Sequence, residues 1–122
     1  MTIPACIRAI LIWCLFSPLS QASCLKTDAA KLGGWLGQNQ SFKEIIFFAS
    51  WCSSCRSHIE NASESSVLVA VFDTEENANA VNAATNLKKR PCFWAQDQSI
   101  STEYKVGELP FSVDLKPAQM VQ

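Results

Sequence analysis

The sequence predicts an α/β domain built on a mixed, partly parallel sheet covered by helices on both faces. Two observations carry that prediction. Glu44 to Ala49 and Ser66 to Asp73 are short, nearly continuous apolar runs, the pattern of strands buried on both faces. Each is followed by a stretch of helical character, and strands that alternate with helices assemble into parallel pairs. No internal repeat or low-complexity tract interrupts the 122 residues.

The elements follow in order. Met1 to Ala22 reads as a secretory signal: Arg8 is its only charge, Ala9 to Phe16 is apolar, Ser17-Pro18 breaks the run, and Ser20-Gln21-Ala22 offers small residues at both cleavage positions. Its apolar core falls short of the roughly 20 residues that span a bilayer. Cleavage near Ala22 is expected, with a short uncleaved anchor as the alternative. Residues 23–122 then form one domain of ordinary size, exported to a bacterial periplasm or along another secretory route.

Thr27 or Asp28 is positioned to cap a helix through Leu36, with Ala29, Leu32 and Leu36 at helical spacing and Gly33-Gly34 weakening its middle. Gly37 to Ser41 reads as a turn before the strand Glu44 to Ala49. Cys52 to Asn61 follows as a helix with Ile59 on its inner face, then the strand Ser66 to Asp73. Thr74 is an N-cap, Glu75 and Glu76 suit a first turn, and Ala78, Val81, Ala84 and Leu87 mark the buried side of the next helix. Lys88 to Pro91 is a loop, Cys92 to Ala95 a short strand and Asp97-Gln98 a turn. Ser101 to Tyr104 is a short helix and Phe111 to Leu115 a last strand.

Charge excludes one class of function. Once Arg8 leaves with the signal, nine Lys and Arg face eleven Asp and Glu, and no basic face interleaved with aromatics appears. Nucleic acid is therefore not an expected partner. Lys88-Lys89-Arg90 reads as solvated loop charge.

Six cysteines become four after signal cleavage: Cys24, Cys52, Cys55 and Cys92. An exported chain meets conditions in which disulfides persist. Four cysteines allow three connectivities. The two-residue gap favours Cys52–Cys55, which leaves Cys24–Cys92 as a structural staple or a second exchange pair. Cys24 is alternatively a lipidated N-terminus, since Ala22 and Ser23 suit a lipoprotein signal and Gln21 does not. Membrane association is expected only through such a lipid or an uncleaved anchor.

The chemistry concentrates at Trp51-Cys52-Ser53-Ser54-Cys55-Arg56, directly after the apolar run Ile45 to Ala49. A strand that delivers two thiols to a helix start places them against unpaired N–H groups and the positive end of the helix dipole. Both stabilise a thiolate, the species that attacks disulfides.

Phe47-Phe48-Ala49-Ser50-Trp51-Cys52-x-x-Cys55-Arg56 and Tyr104-Lys105-Val106-Gly107-Glu108-Leu109-Pro110 together resemble the thioredoxin superfamily. The closer likeness is to exported TlpA/ResA-like thiol–disulfide oxidoreductases, whose strand, Asp, polar turn and Ala-Tyr-x-Val-x-x-Pro are echoed from Phe93 to Pro110. The resemblance spans about Ile45 to Leu115. It implies a thioredoxin-like fold, with Cys52 as the attacking thiol and Cys55 as the resolving one. It also implies that Pro110 is cis beside them, that Leu109 offers its backbone to substrate, and that Trp51 forms a wall against it. The partners implied are protein thiols or disulfides and a redox partner protein, with the chain working as a reductase. No cofactor and no metal enters this reading.

Three departures accompany the resemblance. Ile46 stands where many thioredoxins hold a buried acid. His58 stands where reductive TlpA/ResA-like members often carry Glu. Only twelve residues follow Pro110, too few for the family's final strand hairpin plus helix, so either the domain is minimal and lacks its closing helix or the chain is a truncated product. His58 is either a proton carrier for exchange or a solvent-facing helix residue, and Glu44 and Glu60 are further proton-handling candidates. Two rival functions stand beside the oxidoreductase. One is a degenerate thioredoxin-like binding module without turnover. The other is a zinc site from Cys52, Cys55, His58 and Cys92, whose spacing matches no common zinc framework.

Overall fold

The structure is a computed structural model that describes residues 23–115. The signal reading at 1–22, and the reading that no helix follows at the C-terminus, lie outside the described residues. The elements are β1 (Leu25–Thr27), α1 (Ala29–Gln38), β2 (Glu44–Phe48), α2 (Ser53–Asn61), β3 (Ser66–Ala70), α3 (Glu75–Thr85), β4 (Cys92–Ala95), α4 (Ser99–Glu103) and β5 (Phe111–Asp114). The strands form one mixed five-stranded sheet in the order β1-β4-β3-β2-β5. The first four are parallel, and β5 runs antiparallel to β2 with Phe47 opposite Phe111.

Strand periodicity divides the core into two layers. Ile46, Phe48, Leu68, Ala70 and Cys92 face Cys55 and Ile59 of α2 and Ala78 and Val81 of α3. Ile45, Phe47, Val67, Val69, Phe93 and Ala95 face Leu32 of α1 and Ile100 of α4. Because β2 and β3 lie at the centre with helices on both sides, all their residues but Glu44 are buried. That burial is why they read as continuous apolar runs.

Local chemistry sets the helix starts. Asp28 accepts from the Lys31 N–H at 2.9 Å, and Thr74 accepts from the Asn77 N–H at 3.2 Å. Each satisfies one of the orphan donors of a first turn. Asp97 Oδ1 accepts from the Ser99 N–H and hydroxyl ahead of α4. Those two bonds hold its carboxyl below the usual carboxylate range.

Several expectations need correction. β1 is an additional strand, paired through Leu25↔Phe93 to Thr27↔Ala95. Thr27 belongs to it, so Asp28 alone caps α1. α1 continues through Gln38 into the expected turn, and α4 begins at Ser99 rather than Ser101. β3 stops at Ala70; the chain turns outward at Phe72, whose φ is 56°. The buried side of α3 includes Asn82 and Thr85, whereas Ala84 and Leu87 are exposed. The helix is rotated because Asn82 and Asn86 are drawn into a polar cluster.

Arg90 is that cluster's centre, and it is not a solvated charge: it is only 4 % exposed. The Asn86 side chain donates to the Arg90 carbonyl at 2.7 Å, and its Oδ1 accepts from the Arg90 backbone N–H and Nε, both at 3.0 Å. Burial pulls the guanidinium below the ordinary arginine value, opposed by nearby Glu44 and Glu64. Asn86→Ala removes one side of four buried hydrogen bonds, the fourth being its donation to Asn82 Oδ1. It is expected to lower the unfolding free energy by about 2 kcal/mol or more, since each stranded buried group costs about 1–3 kcal/mol. Urea denaturation followed by circular dichroism measures it.

Candidate functional site

Buried β2 ends at Phe48, and the chain closes a turn in which the Cys52 N–H donates to the Ala49 carbonyl at 3.2 Å. Cys52 is the N-cap of α2, with extended backbone, and makes no side-chain capping bond. The unpaired N–H groups of the first turn therefore lie at this residue. Cys55 is one turn in and fully buried, whereas Cys52 is 7 % exposed. The two are disulfide-bonded, with Cα atoms 5.4 Å apart. An incoming thiolate has access to this bond only at its Cys52 end. The other end of α2 is also electrostatically complemented: the carbonyl of Ala62, its C-cap, accepts from Lys88 Nζ at 2.6 Å and Arg90 Nη1 at 3.4 Å.

The remaining candidates distribute around this turn. The Leu109–Pro110 peptide is cis, and both residues are half-buried. Leu109 packs against the layer that holds both cysteines. Pro110 and Ser54 line one polar cleft of about 410 Å³ together with Glu44, Ser57, His58 and Ser112. Trp51 is 64 % exposed, with its indole N–H donating to the Phe72 carbonyl at 3.0 Å. Tyr104 sets its ring 5.4 Å from that of Phe47, and burial, with Glu103 adding, pushes its phenol up from the usual value.

His58 is exposed and shares a hydrogen bond with Ser112 Oγ at 3.1 Å. That bond ties α2 to β5; none joins His58 to either cysteine. Glu44 Oε2 accepts from the Ser66 hydroxyl at 3.0 Å, and Glu60 is exposed. Among the described residues no three His, Cys, Asp or Glu side chains converge on a metal-sized position. Cys92, one member of the zinc alternative, is bonded instead to Cys24, with Cα atoms 4.6 Å apart. Cys24 is 2 % exposed, its N–H donates to Asn79 Oδ1 at 2.7 Å, and its sulfur is the atom a thioether-linked lipid would need. Among the described residues no helix is long and apolar enough to cross a membrane.

Asp73 is the residue that sequence reasoning missed. Its carboxylate accepts from the Ser50 N–H at 2.6 Å, the Ser50 hydroxyl at 3.1 Å and the Thr74 N–H at 2.9 Å. Its backbone carbonyl accepts from the Trp94 indole at 2.8 Å. The loop after β3 thus holds the two residues that lead into Cys52. The one signal in the sequence is an acid directly after an apolar strand, which by itself reads as a strand end. Asp73→Ala is expected to destabilise the protein by about 2 kcal/mol, the range for a hydrogen bond to a charged group. Asp73→Asn, which keeps a carbonyl acceptor, is expected to lose less; thermal and urea unfolding compare them.

No family model matches the chain, and no curated protein or solved structure matches it either.

Proposed function

We propose that this chain is an exported, thioredoxin-like thiol–disulfide oxidoreductase that acts on protein substrates through Cys52 and Cys55 in the reducing direction. The observation that carries the reading is the placement of the pair: Cys52 caps a helix at the end of a buried strand, and Cys55 is sealed one turn deeper. The helix start favours thiolate at Cys52, and burial disfavours it at Cys55. In the reduced protein the Cys52 thiolate attacks a substrate disulfide. A Cys52–substrate S–S bond forms, and the departing substrate sulfur leaves as a thiolate and takes a proton. Cys55, deprotonated, then attacks the Cys52 sulfur, closes the Cys52–Cys55 bond and frees the second substrate thiol. Two electrons pass to the substrate, and a dithiol redox partner protein restores them.

The test is insulin disulfide reduction by the mature protein, together with the Cys52–Cys55 reduction potential. Turnover is expected, with a potential low enough to reduce insulin. A folded protein that exchanges no disulfides sinks the reading. The alternative is a module that holds a partner while its disulfide stays shut, and the small exposure of Cys52 favours it.

A further inference from the structure

We propose that the apolar cavity between α1 and β5 is a binding site for a small primary amine with an apolar or aromatic body. The cavity holds about 400 Å³, within the range of small-molecule sites. Its apolar walls are Leu36, Phe42, Tyr104, Val113 and Leu115. All five pack against the core layer beneath α1 and α4, on the opposite face of the sheet from Cys55. The site therefore does not depend on thiol exchange.

The glycines of α1 are one sign of a ligand. Gly33 and Gly37 stand one turn apart on the helix and line the cavity. Glycine within a helix costs stability relative to alanine. Neither residue has a positive φ, and a Cβ added at either meets no atom within 4 Å, so the described fold asks for glycine at neither. What the missing side chains give is width. The helix backbone itself becomes the wall, which is how glycine lets a chain approach a ligand closely. Gly34 carries the same cost without lining the cavity and serves as the control.

The polar groups specify the ligand's head. The Asn39 side chain donates to the Trp35 carbonyl at 2.8 Å, and that of Gln40 donates to the Gly37 carbonyl at 3.1 Å. With both amide nitrogens committed, their oxygens are the atoms left to meet a ligand. Asp114 adds a carboxylate. It stands directly opposite Glu44 in the β2–β5 ladder, a like-charge pairing that costs the sheet. That carboxylate has no hydrogen-bond or ion-pair partner among the described residues. No Lys, Arg or His lines the cavity. Three acceptors without a cation complement an ammonium group, which has three donors, and repel a carboxylate.

The experiment titrates isotope-labelled protein with phenylbutylamine, phenylbutanol and phenylbutyrate, followed by nuclear magnetic resonance. The three probes share a body and differ in the head. The amine is expected to saturate with a dissociation constant of about 1 mM or below and to shift the Gly33 and Gly37 amides. The alcohol is expected to bind about tenfold more weakly, the scale of one hydrogen bond to a charged group, and the butyrate more weakly still. In the double variant Gly33→Leu, Gly37→Leu, amine binding is expected to fall by about tenfold or more because the body no longer fits, with the thermal midpoint equal or higher. Gly34→Leu is expected to bind as the parent does. Asp114→Asn is expected to erase most of the amine's advantage over the alcohol. Absence of saturation overturns the site, as do shifts centred away from Gly33 and Gly37 or full binding by the double variant. Butyrate binding as tight as the amine's overturns the assigned head. Should the double variant fail to fold, Asp114→Asn decides: an advantage kept in full overturns the proposal. Neither probe nor readout involves Cys52, so the outcome is independent of the insulin assay.

Discussion

Replacing Cys24 and Cys92 together with alanine is expected to lower the unfolding free energy by about 4 kcal/mol, the loop-closure value for the 68-residue separation they bridge. Domains of this size hold only about 5–15 kcal/mol in all, so the variant should unfold well below the parent in urea. The location adds to the loop term. β1 has three residues and pairs with a single strand, β4. Cys24 immediately precedes it, and Cys92 lies beside Cys24 at the start of β4, under Ala78 of α3. Without the bond, little besides that short ladder and the Asn79 contact holds the first strand in place. A double variant as stable as the parent would overturn the staple and reopen exchange at Cys24.

Cys52→Ser is expected to reduce insulin turnover to the uncatalysed background while leaving the fold as firm as, or slightly firmer than, that of the parent with its Cys52–Cys55 bond reduced. A serine hydroxyl forms no disulfide, so the first step has no nucleophile. As an N-cap, however, serine is the better residue, because its oxygen accepts from a first-turn N–H and Cys52 makes no such bond. Activity and stability should thus move in opposite directions, a result that simple misfolding does not produce. The companion variant is Cys55→Ala rather than Cys55→Ser. Cys55 is fully buried beside Ile46 and Ile59, and a hydroxyl there costs about 1–3 kcal/mol without a partner. Cys55→Ala is expected to attack once and stall as a mixed disulfide, visible by mass spectrometry. Turnover that survives Cys52→Ser removes Cys52 from the role proposed for it.

What was legible in the sequence follows from how locally each feature is determined. β2, β3 and α2 were readable because central burial forces apolar runs, and the thiols mark the helix start. β1 was not: Leu25 and Lys26 are exposed, and the strand exists only through pairing with Phe93 to Ala95, far along the chain. Arg90 looked like surface charge because its neighbours are lysines, yet Asn86 folds back on it within one turn. The cysteine pairings were legible from spacing. The loop that supports the site was not, since Asp73 reaches Ser50 across 23 residues of sequence and Phe72 turns outward against its own backbone preference.

The position of β1 also has a mechanical consequence. The described chain enters the sheet there, three strands away from β2, or roughly 14 Å at ordinary strand spacing. Tension applied ahead of Ser23 meets a covalent cross-link at the very next residue, before any hydrogen bond of the ladder is loaded. The pull is carried into β4 on the flank of the sheet, and the turn at Cys52 is spared it.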